Sequence, residues 1–333
     1  MRKKGEGILS MKTYTDWGRP FSRMSLGTVQ LGLDYGIANA DGKPSLAQSH
    51  AVLKAALEGG VTALDTAASY GNSEKVLGSY FRTFGGRDGV FLTTKFGLNL
   101  PGTPKEQAKD AIHRSLERSL ENLGVDRVDC LMMHRAEDFD EQGEAIVEAL
   151  SELKHEGLIG CAGISIYHPE SLKKPLESGV FSMVQAPMSM FDHALRDSGY
   201  LEILRQQNIA LIIRSVFLQG LFFLDPDAMP ESPLRDAVGE KLRMIRALAT
   251  RENMTMAELA ISYIRDMPGV TSLVLGAEKP EQVRQNLSYF AEGAAMLSEE
   301  GRRFIDENCA ADIPEIMRAL SARYDRGAAK EKK

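Results

Sequence analysis

The sequence predicts an α/β fold, a (β/α)8 TIM barrel with additional C-terminal helices, on three observations. Eight short, β-branched apolar segments recur along the chain, amphipathic segments with helix-start signals lie between them, and no linker-like stretch divides the 333 residues. Strands and helices alternating over that length suggest a closed parallel barrel more than an open sheet. We expect a single domain over 1–333, with the barrel at about 21–290, a helical extension over 291–325 and a tail over 326–333.

The strand candidates begin with a weak one around Met24–Gly27. Clearer ones follow at Val61–Asp65, Val90–Thr94, Val128–Met133, Gly160–Ile164, Met183–Gln185, Ala210–Arg214 and Thr271–Leu275. Their nearly continuous apolar character fits parallel strands buried on both faces. Ser45 with Gln48 forms a capping-box pattern before Ala51–Leu57, and Thr255 with Glu258 repeats it before Leu259–Ile264. Within Gln107–Leu123 the residues Ile112, Leu116, Leu120 and Leu123 make one stripe, as in a helix laying one face on a sheet. The long connection from Leu218 to Thr255 carries a proline-punctuated loop and an extra helix. Ser298–Ser321 reads as one helix added after the last barrel unit.

Composition excludes several classes. Hydrophobic residues make up 43% and charged residues 26%, too apolar a balance for disorder. A net charge of -6 leaves no general attraction to nucleic acid or acidic membranes. Cys130, Cys161 and Cys309 match no zinc spacing and are too few for a disulfide framework, so a reducing cytoplasm is the simplest expectation. Arg2, Lys3 and Lys4 precede an apolar stretch, Ile8-Leu9, too short for a signal peptide. Lys330, Lys332 and Lys333 read as a frayed end. No run of apolar residues is long enough to span a membrane.

The usual nucleotide and hydrolase signatures are missing. There is no G-x-G-x-x-G, so a Rossmann crossover is unsupported. Gly36 to Gly42-Lys43 imitates a phosphate loop with one residue too many, and Pro44 stands where a hydroxyl is required; a turn leading to the Ser45 cap is the better reading. Neither H-E-x-x-H nor G-x-S-x-G occurs. The histidines at 50, 113, 134, 155, 168 and 193 show no metal-site spacing.

Barrel enzymes take their catalytic side chains from the C-terminal ends of the strands. Those positions hold Asp65, then Tyr70 in the following loop, Lys95 after the third strand segment and His134 after the fourth. Each alone could be a solvated charge, a packing aromatic or a hydrogen-bonded structural histidine. Together, at matching depth on three neighbouring strands, they make a candidate proton-transfer site. A tyrosine is a weak acid near neutral pH. A neighbouring ammonium would lower its pKa, a carboxylate would fix that ammonium, and the histidine could hold a carbonyl oxygen beside the hydroxyl.

The strand-two D-T-A-x-x-Y-G, the T-K after strand three and the histidine after strand four resemble the tetrad of the aldo-keto reductases, over about Met24–Tyr289. The resemblance implies a barrel, an extended NAD(P)H cofactor across the strand ends, and hydride transfer to an aldehyde or ketone with Tyr70 as general acid. It also implies cofactor contacts. Gly27 and Thr28 follow strand one, and Ser165 and Gln185 resemble the pair that bonds the nicotinamide carboxamide. Ser215, Leu218, Gln219 and Gly220 would line the pyrophosphate. Gly276, Ala277, Lys279, Gln282, Gln285 and Asn286 lie in a G-A-x-x-P-E-Q-x-x-x-N signature that would place the adenosine phosphates at a helix N-terminus.

Two positions depart from the pattern. Ile166 stands where many relatives have asparagine, and Arg214 where they often have an aromatic on the nicotinamide; a planar guanidinium can also stack. Lys279 favours NADPH, whereas Glu278 opposes a 2′-phosphate, so NADPH is expected with NAD possible. Gln30, Asp34, Tyr35, Arg135, Tyr167, Asp192 and His193 give the surroundings a polar character suited to a small polar aldehyde or sugar-like carbonyl compound; L-G-T-V-Q-L-G-L-D-Y-G-I-A-N resembles a bacterial branch linked to sugar or polysaccharide metabolism. Two alternatives stay open: a cofactor-binding sensor with little turnover, and a Schiff-base barrel lyase using Lys95.

Overall fold

The computed structural model describes residues 11–13, 19–37, 39, 42–97 and 102–319. Eight strands close a barrel in chain order: β1 (Met24–Gly27), β2 (Ala63–Asp65), β3 (Phe91–Phe96), β4 (Val128–Met133), β5 (Ile159–Ser165), β6 (Phe181–Pro187), β7 (Ala210–Arg214) and β8 (Val270–Gly276). Every neighbouring pair is parallel, and β8 returns to β1. All eight candidate segments are strands, with bounds moved by at most two residues.

Burial accounts for their composition. Every residue of β1, β2, β3 and β4 is buried, because the barrel interior covers one face and helices cover the other. Ala63, Phe91, Cys130, Met132, Cys161, Met183, Ala210 and Ile212 form a cluster of their own. Phe21 joins it, its ring edge-on to Phe91 at 4.9 Å between centroids. Phe21 belongs to a strand, Pro20–Ser22, that pairs antiparallel with Met11–Thr13. This hairpin escapes the sequence reading, since three residues carry too little alternation to register.

Leaving aside the four-residue turns Val29–Gly32 and Ala194–Asp197, the helices are α1 (Leu46–Glu58), α2 (Ser73–Phe84), α3 (Lys105–Leu123), α4 (Phe139–His155), α5 (Lys173–Glu177) and α6 (Tyr200–Gln206), one after each of β1 to β6. Two more, α7 (Pro233–Arg251) and α8 (Met256–Arg265), separate β7 from β8; α9 (Pro280–Ser288) and α10 (Glu299–Asn308) follow. Both predicted capping boxes form. Ser45 Oγ accepts from Gln48 N at 3.3 Å while Gln48 Oε1 accepts from Ser45 N at 2.9 Å. Thr255 and Glu258 do the same at 3.2 and 2.8 Å. Each cap contributes on the order of 1 kcal/mol. In α3, Ile112, Leu116 and Leu123 are buried and Leu120 is partly so.

The expectation of one helix over Ser298–Ser321 is corrected. α10 stops at Asn308 and a separate helical turn begins at 313, with the Asp312 carboxylate accepting from Glu315 N at 2.8 Å. Pro314 explains the break: inside a continuous helix it would lack an amide donor and clash with the preceding turn, whereas in a first turn it is tolerated. The basic N-terminal residues, the Ile8-Leu9 stretch and the C-terminal lysines lie outside the described residues. No described helix is long and apolar enough to cross a membrane.

Candidate active site

The barrel brings Asp65, Tyr70, Lys95 and His134 to one end. Asp65 closes β2, Lys95 is the penultimate residue of β3, and His134 follows β4 with its amide donating to Phe96 O at 2.8 Å. Tyr70 sits in the turn between β2 and α2. Thr66 N donates to Thr93 O at 2.9 Å and Ala68 N to Lys95 O at 3.1 Å, which lashes this turn to β3. Two glycines let it approach β1's loop. A Cβ on Gly32 would fall 1.8 Å from Tyr70 O, and one on Gly71, whose φ is +58°, would fall 2.5 Å from Gly32 O.

Within this frame the side chains form a buried chain. Lys95 Nζ donates to Asp65 Oδ2 at 2.7 Å, to Thr66 O at 3.0 Å and to Tyr70 OH at 3.4 Å. Gln185 Nε2 donates to the other Asp65 oxygen at 2.8 Å, so both carboxylate oxygens are engaged. The Lys95 side chain is 0% exposed and that of Asp65 8%. Burial alone would push the Lys95 pKa down; the Asp65 carboxylate and Tyr70 outweigh it, and the pKa is raised. Lys95 therefore stays an ammonium.

Tyr70 corrects an expectation. Its pKa is raised, because burial of the phenol outweighs the lowering by Lys95. The ammonium acts in the foreseen direction and loses to desolvation. His134 lies edge-on to Tyr70 at 5.7 Å between ring centroids, and its Nδ1 is 3.2 Å from Ser69 Oγ. Burial first, and Lys95 next, lower its pKa to about 4, so the ring is neutral at pH 7. If the Ser69 hydroxyl donates to Nδ1, the ring's N–H is on Nε2 and can be given to a substrate oxygen.

A cavity of about 580 Å³ runs from Asp65, Tyr70 and His134 across the strand ends to the start of α9. Of the residues expected at a cofactor, Gly27, Thr28, Gln185, Arg214, Ser215, Gln219, Gly220, Gly276, Gln282, Gln285 and Asn286 line it. Ser165, Leu218, Ala277 and Lys279 are not on its wall; Ser165, Leu218 and Ala277 are buried. Glu278 is on the wall although its neighbour Lys279 is not. The sequence reading missed Phe217 and Phe223, which line the cavity, and Ser69, the partner of His134. The first two flank the Leu218–Gly220 segment already singled out; Ser69 precedes Tyr70 and carries no signal beyond that position.

The wall fits an extended dinucleotide. Gln282 Oε1 accepts from Glu278 N at 2.7 Å and Lys279 N at 3.0 Å, so donors at the start of α9 now meet a neutral oxygen where a phosphate could replace it. Among the described residues Gln30 Oε1 is buried without a partner, and its carboxamide lies where a Cβ on Gly276 would stand, 2.2 Å away at Nε2. An unsatisfied buried acceptor in a ligand cavity is the kind of group that a bound hydroxyl or amide would complete.

Comparison with known proteins agrees with this geometry. The chain is 28% identical over 281 residues to an uncharacterized oxidoreductase of Bacillus subtilis, covering 80% of this chain and 90% of the relative. It is 27% identical over 257 residues to the NADH-specific methylglyoxal reductase of Escherichia coli, covering 69% of this chain and 78% of the relative. A solved aldo-keto reductase from Bacillus halodurans superposes with a TM-score of 0.73 at 22% identity, over 92% of this chain and 99% of that one. The model of the Aldo/keto reductase family matches residues 23–301, most of the chain, and the protein therefore belongs to that family of NAD(P)H-dependent oxidoreductases acting on carbonyl groups.

Proposed function

We propose that this enzyme reduces a small polar, sugar-like aldehyde or ketone to its alcohol, with Tyr70 as the general acid. The observation that carries the reading is the buried Asp65–Lys95–Tyr70 chain, whose tyrosine end opens on the cavity. A nicotinamide cofactor held along the wall by residues such as Gln282, Gln285 and Asn286 would supply a hydride to the carbonyl carbon. Tyr70 OH and the His134 N–H bond the carbonyl oxygen, and the Tyr70 proton passes to that oxygen as negative charge develops on it. The Lys95 ammonium stabilises the phenolate left behind, and Asp65, held by Gln185, keeps the ammonium in place. A neutral His134 can donate a hydrogen bond without competing as an acid. Asp65, Tyr70, Lys95 and His134 are the residues to which we assign catalysis.

A polar wall that includes Gln30, Tyr35, Asn39 and Arg214 supports a polar substrate over a steroid. The name of the E. coli relative, a methylglyoxal reductase, supports a small carbonyl compound. For the cofactor we propose use of both NADPH and NADH, within about tenfold of each other, because Glu278 lines the cavity and a partly exposed charge contact is worth on the order of 1 kcal/mol. The Schiff-base alternative is disfavoured: a wholly buried, ion-paired Lys95 offers no free amine. The test is spectrophotometric oxidation of NADPH and NADH with a panel of aldoses, short aldehydes and bulky ketones. Tight cofactor binding without turnover of any of them would favour the sensor alternative, and a better kcat/KM on a bulky apolar ketone would overturn the polar-substrate reading.

A further inference from the structure

We infer that Arg214 is a receptor for an anionic group on the substrate, so that the preferred carbonyl compounds carry a carboxylate or phosphate a few atoms from the reacting carbon. The inference rests on the reductase reading and narrows its substrate class.

Arg214 ends β7 and lines the cavity together with Tyr70, His134 and Tyr167. Its position is fixed by neutral groups. Nη2 donates to Ile166 O at 2.9 Å, Nη1 to Ser215 Oγ at 3.2 Å, and the guanidinium lies over the Tyr167 ring at 4.3 Å from the centroid. A guanidinium has five N–H donors, so three remain beyond these two bonds to described residues. A half-buried arginine is ordinarily matched by a carboxylate, since taking the charge out of water is costly. None of these partners carries a charge. Asp192, buried on the loop after β6, feels the Arg214 charge but makes no ion pair with it, and its carboxylate accepts from Ala194 N at 3.3 Å instead.

The charge is also close to the chemistry. It disfavours protonation of His134 and favours ionisation of Tyr70, which places it within electrostatic reach of both. Tyr167, on which the guanidinium rests, is 51% exposed and borders the cavity, so the cation stands at an open mouth rather than in sealed packing. A pre-positioned planar fork with spare donors suits carboxylate and phosphate oxygens alike. The substrate's anion would supply the missing countercharge and hold the carbonyl at a set distance from Tyr70.

The test compares matched pairs: succinic semialdehyde with butanal for a carboxylate, and glyceraldehyde 3-phosphate with glyceraldehyde for a phosphate. The wild-type protein should favour a charged member at least tenfold in kcat/KM, with the advantage shrinking as salt rises. Arg214→Gln should lose that advantage, mainly through KM, and Arg214→Lys should recover part of it; thermal melts of the variants check their folding. A second measurement needs no turnover. Calorimetry with NADP+ present should find that succinate or phosphoglycolate binds wild type at least tenfold tighter than Arg214→Gln, and which of the two does so separates a carboxylate site from a phosphate site. Equal affinity in wild type and variant, or a charged-over-neutral preference that survives Arg214→Gln, overturns the inference. If neither these pairs nor any member of the aldose, aldehyde and ketone panel is turned over while anion binding still depends on Arg214, the proposed reduction fails and the anion site stands.

Discussion

Replacing Lys95 with methionine should destabilise the protein by about 3–5 kcal/mol, the usual cost of breaking a buried ion pair from one side. The structure gives the reason. The Asp65 side chain is 8% exposed, and the other polar contact of its carboxylate among the described residues is the Gln185 amide at 2.8 Å, which cannot balance a full negative charge. The double variant Asp65→Asn/Lys95→Met removes both charges while leaving an oxygen for Gln185, and it should recover at least half of the lost stability. Activity should not follow: both variants lose the ammonium that supports the Tyr70 phenolate, so kcat should stay more than tenfold below wild type in each. Equilibrium urea unfolding reads the stability and NAD(P)H oxidation the activity. A loss below about 1 kcal/mol for Lys95→Met would refute the reasoning, because that is the scale of a solvated surface pair. So would a double variant no more stable than the single one.

Three further outcomes are expected. Tyr70→Phe should lower kcat more than tenfold with cofactor affinity nearly unchanged, since the hydroxyl acts in the transition state; near-wild-type turnover would remove Tyr70 as the acid. With its pKa lowered to about 4, His134 is neutral in the folded protein and protonates near 6.5 when unfolded. Its contribution to stability is therefore complete above pH 6.5 and is lost as pH falls toward 4, and the pH profile of kcat/KM should show no inflection near 6.5 that His134→Asn abolishes. Glu278→Arg should shift cofactor preference toward NADPH by about tenfold, mainly through affinity; an unchanged ratio of fluorescence-titrated affinities would mean that Glu278 points away from the ribose.

Much of the fold was legible because a parallel barrel writes its strands as short, doubly buried apolar runs, and because the capping boxes at Ser45 and Thr255 depend only on residues three apart. The tetrad was legible for a related reason: Asp65, Lys95 and His134 follow directly from where the strands end. What escaped depended on surroundings. The raised pKa of Tyr70 reflects burial, which no local pattern records, whereas the opposing charge of Lys95 could be read from the sequence. Pro314 was visible and sufficient to break the helix predicted over Ser298–Ser321, so that error was one of weighting. Glu278 and Lys279 are adjacent, and only the backbone at the start of α9 decides that the first of them lines the cavity and the second does not.

The loop after β7 was the least legible part of the site, and its geometry explains why. Ser215, Leu218 and Gln219 have φ of 62°, 45° and 57°, and Gly220 follows at 93°. Only the glycine belongs to a type that advertises such a conformation. Each non-glycine residue held there costs about 1–3 kcal/mol, and it persists only where surrounding contacts over-determine it. Leu218 is buried, Leu218 N donates to Ser215 O at 2.8 Å, and Ile37 N donates to Gln219 O at 3.0 Å, which ties the loop to the segment after β1. The strain is thus concentrated where Ser215, Gln219 and Gly220 present the loop to the cavity, while the supporting contacts lie behind it. The protein's own contacts hold the loop in this shape, and binding to a loop so held carries a smaller ordering cost.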